Sequence, residues 1–129
     1  MNKALFVDDD ILALKIGKLL MQSLGYDVIT ANSGKEALKK LSLYKGDFDV
    51  ILLDLMMPDM YGLEVLREIR KNSYWREITV IMQTGAKNEE DMKLVRKLGA
   101  SIILKPYDKK ILKEHLEQIG CIPSKNISQ

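Results

Sequence analysis

Cysteine is nearly absent: Cys121 is the sole thiol in 129 residues, so no disulfide can form within the chain. A lone thiol fits a reducing, cytoplasmic setting, and Cys121 itself reads as a half-buried small hydrophobe. Histidine is as scarce. His115 stands alone between Glu114 and Leu116 in a helical stretch, and one imidazole cannot build a histidine-based metal site. Trp75 is the only tryptophan and reads as a packing anchor in a loop. No apolar run approaches the ~18 residues of a membrane span. Met1-Asn2-Lys3 leads directly into an apolar strand, which on this reading leaves no room for a signal peptide. Charge of one sign is missing too. The 20 basic and 18 acidic residues give a net charge of +2, which favours neither a nucleic acid nor a membrane surface as partner. No basic helix-turn-helix segment occurs, and no glycine-rich loop follows a strand to cradle a nucleotide or flavin phosphate.

What is present is alternation. Apolar, β-rich runs at 4–7, 26–31, 49–53, 78–83 and 101–104 predict strands. Amphipathic segments at about 11–24, 34–44, 62–72, 88–98 and 108–119 predict helices. Asp10 reads as an N-cap, and Ser33 with Glu36 as a capping box. Gly25 and Gly99 sit where the first and fourth helices should exit through a left-handed residue. Leu94, Val95 and Leu98 predict the buried face of the fourth helix, and Leu112, Leu116 and Ile119 that of the fifth. Strands alternating with helices build a parallel sheet with helices on both faces. The second strand carries Tyr26, Asp27 and Thr30 and is the least apolar, so it belongs at an edge. The pattern fits an α/β, flavodoxin-like three-layer sandwich: a five-stranded parallel sheet in strand order 2-1-3-4-5 with five helices.

That order makes strands one and three central neighbours. Asp8-Asp9 follows the first and Asp54 the third, at the carboxyl ends where open α/β sheets bind ligands. Three like charges that close need a cation or must give up ionisation. The cluster therefore predicts a metal site, with Asp54 as a candidate nucleophile. Thr84-Gly85 and Lys105-Pro106 end the fourth and fifth strands and open onto the same rim.

The set Asp8-Asp9, Asp54, Thr84 and Lys105-Pro106, in this order at these strand ends, resembles the phosphorylation site of two-component response regulator receiver domains. The resemblance spans about residues 2–119. It implies phosphorylation on Asp54 by a sensor histidine kinase or a histidine phosphotransfer protein. It also implies Mg²⁺ held by Asp9, Asp54 and the backbone carbonyl of Met56, with Asp8 holding a metal-bound water. Lys105, Thr84 and the N–H groups of Met56 and Gly85 would then face the phosphoryl oxygens. A cis Lys105-Pro106 bond is implied as well. The expected domain layout is a receiver domain at 1–120 and a tail or linker stump at 121–129. The expected role is a switch that catalyses only its own phosphorylation and dephosphorylation. Output would run through the face of helix four, strand five and helix five, to a separate protein or to a further C-terminal domain.

Four positions depart from the family pattern. Ile102 stands three residues before Lys105, where an aromatic ring often couples the site to the output face, so a smaller or differently routed change is expected. Met56 and Ala86 flank the path of a hydrolytic water, and neither side chain bonds water strongly. Slow loss of the phosphoryl group is therefore expected. Tyr61 stands where Asp or Asn is frequent, with Gly62 supplying the backbone freedom of a turn. A Mg²⁺-dependent phosphohydrolase with an aspartyl nucleophile is the alternative, although Met56 occupies the position of the second acid that such enzymes carry.

Overall fold

The structure is a computed structural model that describes residues 2–86 and 88–122. Its elements run β1 (Asn2–Val7), α1 (Ile11–Ser23), β2 (Tyr26–Ala31), α2 (Gly34–Leu43) and β3 (Val50–Asp54). They continue with α3 (Gly62–Lys71), β4 (Thr79–Thr84), α4 (Glu89–Lys97), β5 (Ser101–Leu104) and α5 (Lys109–Gln118). All pairings are parallel, in the order β2-β1-β3-β4-β5. The expected sheet is the one observed, with β2 at an edge.

β3 is the centre of the molecule, and all five of its residues are buried. Alternate side chains leave by opposite faces, so a central strand has no polar face. Ile51 and Leu53 join Leu5 and Val7 in a core closed by Leu41, Leu66, Ile69 and Val95 from α2, α3 and α4. Val50 and Leu52 join Ala4 and Phe6 under Leu14 and Met21 of α1 and Leu112 and Leu116 of α5. Trp75 packs on the first core and half-buried Cys121 on the second.

Local signals decode as read. The Asp10 carboxylate accepts from the Leu12 N–H, and the Ser33 hydroxyl accepts from the Glu36 N–H. The Glu36 carboxylate reaches back to the N–H of Asn32, one residue before the cap. Gly25 and Gly99 take φ of 96° and 76°. The buried face of α4 differs from expectation. Met92 and Val95 are its buried residues and Leu98 packs half-buried on the first core, while Leu94 is exposed. β3 and β4 each begin and end one residue later than the pattern suggested, so Asp54 and Thr84 are the last residues of their strands. Of the expected tail, residues 123–129 lie outside the described residues.

Candidate functional site

Two buried carboxylates meet one lysine at the carboxyl end of the sheet. Asp8 is 1% and Asp54 7% exposed. The Lys105 ammonium lies 2.9 Å from Asp8 Oδ2 and 3.3 Å from Asp54 Oδ1. Asp9 stands at the exposed lip, and one carboxylate oxygen from each of Asp8, Asp9 and Asp54 falls within 4.8 Å of the others. Local structure fixes each group. The N–H of Asp8 bonds the Ala31 carbonyl at the end of β2, and Asp8 Oδ1 accepts from the N–H of Asp10 at the start of α1. The N–H of Lys105 bonds the Thr84 carbonyl, and the Lys105-Pro106 peptide is cis, as expected.

Burial pushes the Asp54 carboxyl up to about 6, with Lys105 opposing and the charges of Asp8 and Asp9 reinforcing the rise. Burial works against the Lys105 ammonium, but its hydrogen bond to Asp8 and the charges of Asp54 and Asp8 more than offset it. Three acids and one ammonium thus leave negative charge that the site resists carrying. The donor set is hard oxygen, partly buried and partly open at Asp9, which fits a magnesium ion.

The loop between β3 and α3 forms the floor. Met56 is 56% exposed, with its side chain turned to solvent. Asp59 spans from this loop to α2, its carboxylate accepting from the N–H groups of Gly34 and Lys35, each at 3.1 Å. Gly62 is where the sequence reading needs correction. It begins α3 without a left-handed φ, and its role is space: a Cβ there would overlap the Asp54 carbonyl oxygen and lie 2.9 Å from Leu55 Cα. Thr84 also differs in posture. Its hydroxyl donates to the Ala86 carbonyl at 3.0 Å and accepts from the Ala86 N–H at 3.1 Å, so it is folded into its own loop. Beside it a cavity of about 380 Å³ is lined by Met56, Tyr61, Thr84 and Ala86. A Cβ on Gly85 would meet nothing within 4 Å. His115 lies away from the acids, half-buried on α5, its Nε2 2.9 Å from the Ser101 hydroxyl.

Two residues of the site escaped sequence reading. Gln83 is fully buried in β4 and Tyr107 follows Lys105-Pro106; the Tyr107 hydroxyl donates to Gln83 Oε1. The available signal was an amide directly after the apolar run Val80-Ile81-Met82.

Residues 4–117 match the family described as response regulator receiver domain. Among curated proteins the chain is 40% identical to the transcriptional regulatory protein CpxR homolog of Haemophilus influenzae, over 99% of this chain and 56% of that protein. It is 36% identical to the chemotaxis protein CheY1 of Helicobacter pylori, over 91% of this chain and 95% of that one. It therefore spans about half of the first relative and nearly all of the second. Among solved structures it superposes on Vibrio cholerae CheY4 with a TM-score of 0.85 and 33% identity, covering 92% of this chain and 98% of that chain. It also matches a chain of the Borrelia burgdorferi CheX-CheY-BeF₃-Mg²⁺ complex, with a TM-score of 0.84 and 28% identity, covering 92% and 88% of the two chains.

The chain belongs to the response regulator receiver domain family. It is a CheY-like phosphoacceptor module of two-component signalling, and the phosphohydrolase alternative is not favoured. Receiver domains are signalling switches that interact with histidine kinases and output domains, and the family typically binds Mg²⁺. Among the described residues no helix is long and apolar enough to cross a membrane.

Proposed function

We propose that Asp54 is the phosphoacceptor of this switch. The observation that carries the reading is the pairing of buried Asp54 and Asp8 on one Lys105 ammonium, with Asp9 beside them. A carboxylate can act as nucleophile toward phosphorus. The Asp54 oxygen forms the new O–P bond while the P–N bond to the donor imidazole breaks, and the imidazole keeps the electron pair and takes up a proton. Asp9, Asp54 and the Met56 carbonyl would hold Mg²⁺, with Asp8 acting through a water. When bound, the ion would supply positive charge against that of the phosphoryl oxygens. Lys105 turns its ammonium to a second oxygen. Thr84 gives up its bond to Ala86 and donates to the third.

The donor is a sensor histidine kinase or a histidine phosphotransfer protein. The exposed Ile11, Leu12, Ile16 and Leu19 of α1 support that reading, since they offer an apolar helix face beside the acids. Exposed Leu94, Leu104 and Ile111 support an output face on α4, β5 and α5, read by a partner protein or by a further C-terminal domain. Residues 1–120 form the receiver unit and 121–129 a tail or linker stump. The unit turns over no external substrate and works in the cytoplasm. Ile102 is half-buried against the first core, so output is routed with little movement at that side chain. A large phosphorylation-linked change in Ile102 exposure by hydrogen exchange would count against that routing.

Incubation with a small acyl phosphate and Mg²⁺ should add one phosphoryl group by intact mass, and Asp54→Ala should abolish it. Retention of the added mass in that variant would refute the assignment.

A further inference from the structure

Gln83 ties together three parts of the site. In the sheet it pairs with Asp54 on one side and Ile103 on the other. Its backbone carbonyl accepts from the N–H of Leu55, the residue after Asp54, at 2.9 Å. Its side-chain Oε1 accepts from the Tyr107 hydroxyl. One residue on, the Thr84 carbonyl accepts from the Lys105 N–H at 2.9 Å. β4 therefore grips the turn that carries Lys105 at two points, one on each side of Pro106.

The grip is not explained by stability. Gln83 is fully buried, and its Nε2 has no hydrogen-bond partner among the described residues. A buried donor left unmatched is costly, whereas an apolar pair of the same shape is close to neutral. Its other neighbours in β4, Val80, Ile81 and Met82, are apolar. The position of the pair accounts for it better. Lysine ends in a point charge on a flexible four-carbon stem, so its aim depends on where its backbone is held. The Lys105 ammonium must serve both Asp8 and Asp54. Tyr107 also lies within the field of these acids: burial and the charges of Asp8 and Asp54 raise its pKa.

We propose that the Gln83–Tyr107 hydrogen bond positions Lys105 for phosphoryl transfer, a role that rests on Asp54 being the phosphoacceptor. Tyr107 is a positioning residue: it acts through Lys105 and touches no reacting atom. A misplacement of about 1 Å can cost on the order of 10²-fold in rate. Loss of one hydroxyl, with the ring still packed, should permit a smaller shift and a loss of about tenfold.

The test compares phosphorylation rates with a small acyl phosphate and Mg²⁺ for Tyr107→Phe and Gln83→Met, each in the native chain and in a Lys105→Ala background. Each single change should slow the native chain about tenfold, and the pair together no more than either alone, as for residues acting as a unit. In the Lys105→Ala background neither should slow the reaction further. A second readout needs neither metal nor donor: Tyr107→Phe should speed exchange of the Lys105 ammonium protons by nuclear magnetic resonance. An unchanged rate in the native chain overturns the proposal. So does an equal loss in the Lys105→Ala background, which is what a smaller folded fraction would give. A native chain that accepts no phosphoryl group overturns the Asp54 assignment instead, and the ammonium exchange still decides the positioning role.

Discussion

Gly62 lies against the carbonyl of Asp54 so closely that no side chain fits between them. The Gly62 N–H also bonds the Leu55 carbonyl at 2.8 Å. The start of α3 is thereby seated on the end of β3. Gly62→Ala forces backbone apart from backbone, which no rotamer can relieve. It should cost about 1–3 kcal/mol of stability. Phosphorylation should slow by more than the loss of folded protein explains. Urea unfolding beside single-turnover phosphorylation separates the two effects.

Asp54 should make the metal-free protein pH-sensitive. Its carboxyl is lifted from the ordinary 3.8 to about 6, mainly by burial. The folded state therefore holds a proton that the unfolded chain releases. Stability from this group is fully present below pH 3.8 and is lost as pH rises through about 6. The full difference is on the order of 3 kcal/mol. Asp54→Asn should then be more stable than the native chain at pH 7 without metal, by about 1–3 kcal/mol, and the gap should close toward pH 4. Mg²⁺ should stabilise the native chain more than the variant. Urea titrations across pH, with and without Mg²⁺, measure both.

The exposed Met56 and Ala86 line the cavity beside Thr84 without offering a strong partner for water. The aspartyl-phosphate should decay slowly once the donor is removed. Met56→Asn adds a side chain that can hydrogen-bond a water and should shorten the lifetime severalfold. An equal decay rate in that variant would remove this explanation.

Arg70 collects the loose ends of two elements. Its guanidinium donates to the carbonyls of Leu98 at 2.6 Å, Ile78 at 2.8 Å, Arg76 at 3.1 Å and Gly99 at 3.4 Å. Arg70→Ala leaves these acceptors at the end of α4 and the start of β4 without that donor. It should cost about 1–3 kcal/mol. Arg70→Lys should recover little of it, since an ammonium cannot reproduce the planar fork. Chemical denaturation checks the ranking.

Much of this was legible in the chain. The alternation of strands and helices, the edge position of β2 and the cap at Asp10 follow from periodicity and composition. The order of strands comes from the flavodoxin-like fold that such units fit, and that order sets Asp8, Asp9, Asp54 and Lys105 on one rim. Other features were not. Periodicity gave α4 an apolar side but could not say that Leu94 would lack a neighbour to cover it. A threonine at a strand end carries no sign of where its hydroxyl points, and Thr84 bonds its own loop. The glycine at 62 looked like a turn residue, because crowding by a carbonyl distant in space is invisible along the sequence. Gln83 and Tyr107 are 24 residues apart, and only the fold brings amide and hydroxyl together.

The carboxylate of Asp59 fastens the middle of the β3–α3 loop to the first N–H groups of α2. With Gly62 clamped at one end and Asp54 built into a strand at the other, the loop that carries Met56 has little disorder left to surrender. Cation binding then freezes few backbone torsions, and each torsional freezing avoided saves about 1–2 kcal/mol per residue. The heat and entropy of Mg²⁺ binding should accordingly report the release of water from ion and carboxylates rather than the folding of a loop. Asp59→Ala should shift that entropy toward the unfavourable while leaving every ligand in place.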